Sequence, residues 1–144
     1  MMLIARFLIV VILFIPAKNL FSQTKPAVRF DGLYQTVSEI DSLNNDTTYN
    51  FLRFYPDGKV LSVTSRGNAH DLKKWFHLKQ ENPSVGLYEI VANRIYFSTT
   101  SEEGTVVYDG EIHGQYYLTF TLKSLINGYT HQEKYYFIKI IGLK

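Results

Sequence analysis

The chain of 144 residues contains no cysteine. Disulfide bonds, thiol-based catalysis and thiolate metal sites are therefore excluded, and so is lipid modification of an N-terminal cysteine. A fold built from this sequence has to rest on its packed core, even in an oxidising compartment.

Long apolar runs are also missing. The run FLIVVILFI, from Phe7 to Ile15, has nine residues, whereas a membrane-spanning helix needs roughly 18 or more. With Arg6 before it and Pro16 after it, the run is typical of the apolar core of a secretory signal peptide. We predict that residues 1–23 are a signal peptide and that the protein is secreted or periplasmic, without a stable membrane anchor after cleavage. A retained N-terminal anchor is the alternative.

An excess of one charge is missing once that segment is removed. The chain has 15 Lys and Arg and 13 Asp and Glu; Arg6 and Lys18 leave with the signal peptide, so the balance becomes 13 − 13 = 0. A neutral chain has no general electrostatic attraction for nucleic acid or anionic lipid, and we expect no nucleic-acid partner. The remaining region, 24–144, has the length of a single domain.

Sequence motifs for catalysis or metal binding are absent. The chain has no Gly-x-Ser-x-Gly elbow, no phosphate-binding glycine loop, no dinucleotide fingerprint and no His-Glu-x-x-His motif. Glu102 and Glu103 are expected in a solvated turn. His70 and His77 are about two helical turns apart, roughly 10 Å, which is too far for one metal ion. We predict a protein that is not an enzyme and has no metal, cofactor or catalytic residues.

Aromatic residues are abundant: the chain has 11 Tyr, 10 Phe and one Trp. Together with many Val, Ile and Thr they favour β-strands. Alternation of apolar and polar residues, interrupted by turn residues, predicts eight strands. They span 30–39, 48–55, 59–65, 86–91, 94–100, 104–112, 115–126 and 129–140.

Two turns set the facing of the last strands. A three-residue loop at 113–115 pairs Tyr108 with Phe120 and Ile112 with Tyr116, which gathers apolar side chains on one face.

The Asn127-Gly128 sequence is typical of a two-residue hairpin turn. In that register Ile126 faces Tyr129 at the mouth of the sheet, and Glu133 faces Leu122.

Eight sequential antiparallel strands that each have one apolar face bury that face and lose both sheet edges when the sheet closes. We therefore predict an all-β, eight-stranded antiparallel up-and-down barrel; a two-sheet sandwich is the alternative. An eight-stranded barrel is either filled by side chains or holds one small ligand. The residues expected to face its interior are Leu52, Phe54, Tyr88, Ile90, Phe97, Tyr108, Tyr116, Leu118 and Phe120.

One segment, 68–80, breaks the alternation. Leu72, Trp75, Phe76 and Lys79 follow helical spacing and predict one short helix between the third and fourth strands. We expect Trp75 and Phe76 to close one end of the barrel, as a fixed plug or as a lid. With Ile126 and Tyr129 they are the candidate residues for a barrel mouth or lid.

The first predicted strand begins with Phe30-Asp31-Gly32-Leu33-Tyr34, and the last contains KYYFIKI. The Gly-x-Tyr element resembles the Gly-x-Trp motif that opens lipocalins, with Tyr in place of Trp. Over residues 28–142 the chain resembles small bacterial secreted lipocalin-like (calycin-type) domains, although lipocalins place their main helix after the last strand. The resemblance implies that the barrel interior binds a small apolar molecule.

Two functions are open at this point. The first is a secreted or periplasmic lipocalin-like barrel that binds a small apolar molecule, with tyrosine hydroxyls as its polar groups. The alternative is a non-enzymatic structural or protein-interaction module whose barrel is filled by side chains. Such a module would use outward residues such as Leu125, Tyr136 and Ile138. The sequence leaves the oligomeric state open.

Overall fold

The computed structural model describes residues 27–36, 39–41, 46–79 and 83–143. The signal peptide predicted at 1–23 lies outside these residues, so it stays a prediction. In the described part of the chain, no helix combines the length and the apolar character that crossing a bilayer requires.

Strands dominate the described residues. The chain forms β1 (Gly32–Thr36), β2 (Glu39–Asp41), β3 (Asp46–Phe54), β4 (Lys59–Ser65), a 3-10 helix (Asp71–Trp75), β5 (Ser84–Val91), β6 (Arg94–Ser101), β7 (Gly104–His113), β8 (Tyr117–Ser124) and β9 (Thr130–Lys139).

Antiparallel pairing closes these strands into a barrel. Each strand from β3 to β9 pairs with the next, and β9 pairs with β1. β1 and β2 both pair with β3 and occupy one position in the wall, so the barrel has 8 strands around its circumference. The predicted fold class is confirmed, with the short helix between the third and fourth wall positions. The architecture agrees with a calycin-type barrel; membership of the lipocalins stays a prediction.

The β7–β8 loop has the predicted length of three residues, but its predicted position is wrong. It consists of residues 114–116, so Tyr108 pairs with Leu122 rather than Phe120. The glycine at its start has φ of 61°, a conformation that glycine adopts without strain. A shift of two residues between paired strands preserves the facing of side chains, but it leaves Tyr116 outside the barrel, 77% exposed.

The predicted two-residue turn between β8 and β9 is wrong. The loop has four residues, 125–128, and is closed by hydrogen bonds from the Ser124 N–H to the Tyr129 carbonyl and from the Gly128 N–H to the Ser124 carbonyl. A type I′ turn needs φ > 0 at both central residues, and here Gly128 alone of the Asn-Gly pair has it. Ile126 and Tyr129 are therefore not facing neighbours; they are 61% and 62% exposed.

Two apolar clusters lie on opposite faces of the barrel wall. The interior core contains Val28, Tyr34, Leu52, Phe54, Val60, Ile95, Phe97, Tyr108, Ile112, Leu118, Phe120, Leu122 and Tyr135. The outer cluster contains Leu33, Phe51, Leu61, Ala69, Leu72, Phe76 and Ile140. Adjacent residues of β3 alternate between them, because successive side chains of a strand point to opposite faces.

The 3-10 helix belongs to the outer cluster, so the prediction that it closes one end of the barrel is wrong. Phe76 is buried against outward residues of the wall such as Phe51. Its carbonyl accepts hydrogen bonds from Arg53 and from the Tyr55 hydroxyl. Trp75 is 53% exposed, so it is neither a plug nor a lid over the interior.

Candidate functional site: the polar mouth of the barrel

Eight of the nine residues predicted to face the interior lie in the interior core or pack against it; Tyr116 does not. Tyr88 and Ile90 are half-buried members of this set. The other six are Leu52, Phe54, Phe97, Tyr108, Leu118 and Phe120. Their role in ligand binding stays a prediction.

The aromatic rings of this set contact one another across the middle of the barrel. Phe97 stacks on Tyr108 with ring centroids 4.3 Å apart, and both rings meet Phe120 edge-on at 5.4 and 5.7 Å. Phe54 meets Phe97 edge-on at 5.8 Å, and Phe120 meets Tyr135 edge-on at 5.6 Å. These are favourable aromatic geometries. We call these five rings the aromatic layer.

Toward one end of the barrel, the inward positions change from apolar to polar. Because neighbouring strands are antiparallel, the change comes near the start of β3 and β9 and near the end of β4 and β6. The inward series are Phe54, Leu52 and Asn50 on β3; Val60, Ser62 and Thr64 on β4; Ile95, Phe97, Thr99 and Ser101 on β6; and Phe137, Tyr135, Glu133 and His131 on β9.

A pocket of about 420 Å³ opens at this end. Tyr108 connects it to the aromatic layer. In the part of the chain that the structure describes, its lining contains hydroxyl and amide groups and two carboxylates, but no basic side chain. The lining residues are Asn50, Ser62, Thr64, Ser84, Thr99, Ser101, Glu102, Glu103, Val106 and Tyr108. We call this pocket the polar mouth.

Asn50 connects the polar mouth to β9. Its Nδ2 donates to Glu133 Oε1 at 3.1 Å, its Oδ1 accepts from the Thr64 hydroxyl at 2.7 Å, and its backbone N–H donates to the Thr36 hydroxyl at 2.9 Å. These bonds fix the amide orientation and hold the Glu133 carboxylate beside Asn50, which lines the pocket.

Three successive inward residues of β9 each bury a polar atom without a hydrogen-bond partner among the described residues. The atoms are His131 Nδ1, Glu133 Oε2 and the Tyr135 hydroxyl oxygen. The other atoms of the first two side chains are paired, since His131 Nε2 lies 3.0 Å from Glu133 Oε1. Folded proteins satisfy nearly all buried polar groups with protein or water. Three such atoms at successive inward positions of one strand are therefore an unusual concentration of unsatisfied hydrogen-bonding groups.

Burial raises the pKa of Tyr135 well above its usual value of 10.0, and the nearby Tyr108 and Glu133 act in the same direction. Neither neighbour meets hydrogen-bond geometry with the Tyr135 hydroxyl. Burial also raises the pKa of Tyr108, an effect that hydrogen bonding to Ser62 and Thr99 partly offsets. Both phenols therefore stay protonated at neutral pH, and each can donate as well as accept a hydrogen bond.

Sequence reasoning identified Tyr108 but did not recognise the polar residues around it. Asn50, Ser62 and Thr99 continue the same alternation as the inward apolar residues of their strands. If the pattern of every second residue is continued past the last apolar residue of each strand, it predicts that these polar residues also face inward. The change from apolar to polar at matching ends of antiparallel neighbours was the available signal.

The β8–β9 loop lies beside the same end of the barrel. The Leu125 N–H donates to the Thr105 carbonyl at 2.9 Å, and the Ile126 side chain fills the space beside Gly104, where an added Cβ would lie 2.4 Å from it. Ile126 thus lies beside Gly104 with its side chain largely exposed, and its role at the barrel mouth stays a prediction. Within the described residues, no three His, Asp or Glu side chains cluster as metal ligands.

Comparison of the chain with protein-family models, curated proteins and solved structures finds no match in any of the three. Function is therefore inferred from the polar mouth and the aromatic layer alone.

Proposed function

We propose that the protein is an exported, lipocalin-like binding protein, not an enzyme, and that it holds a small molecule in the polar mouth above the aromatic layer. The observation that supports this function is the pocket of about 420 Å³ at the barrel end. That volume lies in the range of small-molecule sites. Its lining is more polar than the mainly apolar lining usual for such sites, because eight of its ten lining residues are polar.

The ligand that fits this geometry carries polar groups, unlike the apolar molecule implied by the family resemblance. The aromatic layer is occupied by its own ring contacts, whereas the polar mouth offers hydroxyls of Ser62 and Thr99 beside Tyr108. A wholly apolar guest would remove the polar lining, including the carboxylates of Glu102 and Glu103, from solvent without supplying new hydrogen bonds, which costs free energy.

The test is native mass spectrometry of the protein purified from its own source, with one variant that fills the mouth. Ser101 lines the pocket, so Ser101→Trp places a large ring in it. We expect wild type to retain a small molecule and Ser101→Trp to lose it.

Ser98→Trp is the matched control, because Ser98 lies on the same strand with its side chain exposed. This variant should retain the ligand as wild type does. A wild-type mass without any small molecule, or equal retention by Ser101→Trp, would contradict the proposed function.

A protein-interaction module is the second candidate, favoured by the exposed apolar residues Leu125, Ile126 and Tyr129 in and beside the β8–β9 loop. In the same spectra it predicts a bound protein chain, lost on Ile126→Ser, instead of a small molecule lost on Ser101→Trp.

A further inference from the structure

We infer that the ligand of the polar mouth is a small organic amine, bound as an ammonium ion by the Glu133 carboxylate. This inference rests on the proposed function and adds the chemical class of the ligand. Charge, hydrogen-bonding capacity and burial support it independently.

The charge of the pocket favours a cation. Among the described residues, its lining includes Glu102 and Glu103 and no Lys, Arg or His. Glu133 lies behind Asn50 and is not itself a lining residue; its carboxylate is hydrogen-bonded to Asn50 and lies 3.0 Å from His131 Nε2. A cleft lined by one sign of charge concentrates ligands of the opposite sign and repels those of the same sign.

The unpartnered atoms require hydrogen-bond donors from the ligand. Glu133 Oε1 already accepts from Asn50 Nδ2, and it lies 3.0 Å from His131 Nε2, which donates because a carboxylate oxygen only accepts. Among the described residues, neither Glu133 Oε2 nor His131 Nδ1 has a hydrogen-bond partner. An ammonium group supplies three donors and no acceptor, whereas a carboxylate or phosphate supplies only acceptors.

Because these atoms are buried, their missing hydrogen bonds cost free energy. Tyr135 is fully buried (0% exposed), and its hydroxyl, which lies near the Glu133 carboxylate, has no partner with hydrogen-bond geometry among the described residues. The Glu133 side chain is 13% exposed. A buried charge is stabilised only when it is paired and hydrogen-bonded, so a bound ammonium would complete the hydrogen bonding that the protein leaves open.

The size and the remaining surface of the pocket indicate a compact amine. Val106 and the Tyr108 ring are its apolar lining, and an aromatic or short aliphatic group can lie on them. Benzylamine has this combination of one ammonium group and one ring. Benzyl alcohol and benzoate are its neutral and anionic counterparts.

The test is calorimetric titration of the mature chain with each of these three probes. We expect benzylamine to bind, benzyl alcohol to bind at least about tenfold more weakly, and benzoate not to bind. Glu133→Gln keeps the side-chain shape but removes the charge. Hydrogen bonds to charged groups are worth about 1.5–3 kcal/mol, so we expect this change to weaken benzylamine binding about 10- to 100-fold and to leave benzyl alcohol unaffected.

Glu111→Gln is the matched control, since Glu111 lies on the outer face of β7 and pairs with Arg94. It should leave the binding of all three probes unchanged. A thermal melt of Glu133→Gln establishes that the barrel is folded before its titration is interpreted.

The outcomes separate this inference from the proposed function. Three outcomes would overturn the inference of an amine ligand. They are benzoate binding as tight as benzylamine binding, failure of benzylamine to bind, and full benzylamine affinity in Glu133→Gln. If the molecule retained from the native source is neutral or anionic and is lost in Ser101→Trp, the proposed function stands and the inference of an amine ligand is wrong. A mouth that retains no molecule of any charge overturns both.

Discussion

Tyr34 and Tyr135 are both fully buried in the interior core, but their hydroxyls have different surroundings. The Tyr34 hydroxyl accepts the backbone N–H of Arg29 at 3.0 Å, whereas the Tyr135 hydroxyl has no partner among the described residues. Loss of a hydroxyl is costly where it leaves a partner unsatisfied, and nearly neutral where there is no partner to lose.

We therefore expect Tyr34→Phe to lower the free energy of unfolding by about 1 kcal/mol. In the ligand-free protein, Tyr135→Phe should leave it unchanged or raise it. Chemical denaturation of the two variants beside wild type measures both effects. If Tyr135→Phe is the more destabilising change, its hydroxyl has a firm partner in the ligand-free protein, and the polar mouth is more complete than we infer.

At the scale of elements, buried side chains of the outer cluster hold the connection between β4 and β5 to the barrel wall. Leu72 of the 3-10 helix and Phe76, directly after the helix, are both buried there, and the Phe76 carbonyl accepts hydrogen bonds from Arg53 and Tyr55. The adjacent Trp75 is more than half exposed. The two neighbouring aromatics should therefore respond very differently to truncation.

Phe76→Ala should lower the free energy of unfolding by about 3–5 kcal/mol, because it removes a buried aromatic ring and leaves a cavity. Trp75→Ala, the matched control one residue earlier, should change it by no more than about 0.5 kcal/mol, as is usual for surface positions. Denaturation midpoints measure the pair. A large loss in Trp75→Ala would contradict the packing described for the outer cluster.

The alternation of the sequence was sufficient to predict the barrel and the facing of most of its core. Leu118 and Phe120 are buried as predicted even though both hairpin registers were wrong by two residues, because side-chain facing repeats every two residues. Loop positions depend on individual φ angles, such as that of Gly128, which composition does not reveal.

The position of the helix could not be read from its own residues. An apolar Phe76 can be buried equally well over the end of a barrel or against its outer wall. The deciding fact lies elsewhere in the chain: Phe51 and Leu61 point outward and need cover. A strand that is apolar on both faces predicts that its outer face is covered, but it does not predict which segment of the chain covers it.

Only part of the candidate site could be predicted from the sequence, for a related reason. Tyr108 could be predicted because it belongs to an alternating apolar series, and Asn50 was missed because it is polar. The partners of Glu133 depend on the β8–β9 register, which places it opposite Phe120 rather than Leu122. Its contact with Asn50 joins strands that are 83 residues apart in the chain, so no local pattern could predict it.

At the scale of the whole molecule, closure of the barrel places several phenols where water does not reach them. Burial is the main cause that raises the pKa of Tyr34, Tyr108 and Tyr135. The unfolded chain titrates its tyrosines near the usual value, about 10. The folded barrel and the unfolded chain therefore bind different numbers of protons at alkaline pH.

Above about pH 10 the unfolded chain has released protons that the folded barrel still keeps on these three phenols. The unfolded state then binds fewer protons, so the free energy of unfolding falls as pH rises, whereas below about pH 10 the full stability is present. We expect the three phenols to ionise only as the barrel opens, with tyrosinate absorbance and loss of the β-sheet circular dichroism signal rising together. Tyr135→Phe should remove one tyrosine from that shared transition. Ionisation of all 11 tyrosines with an intact circular dichroism signal would mean that water reaches the aromatic layer, and it would contradict a barrel filled by these rings.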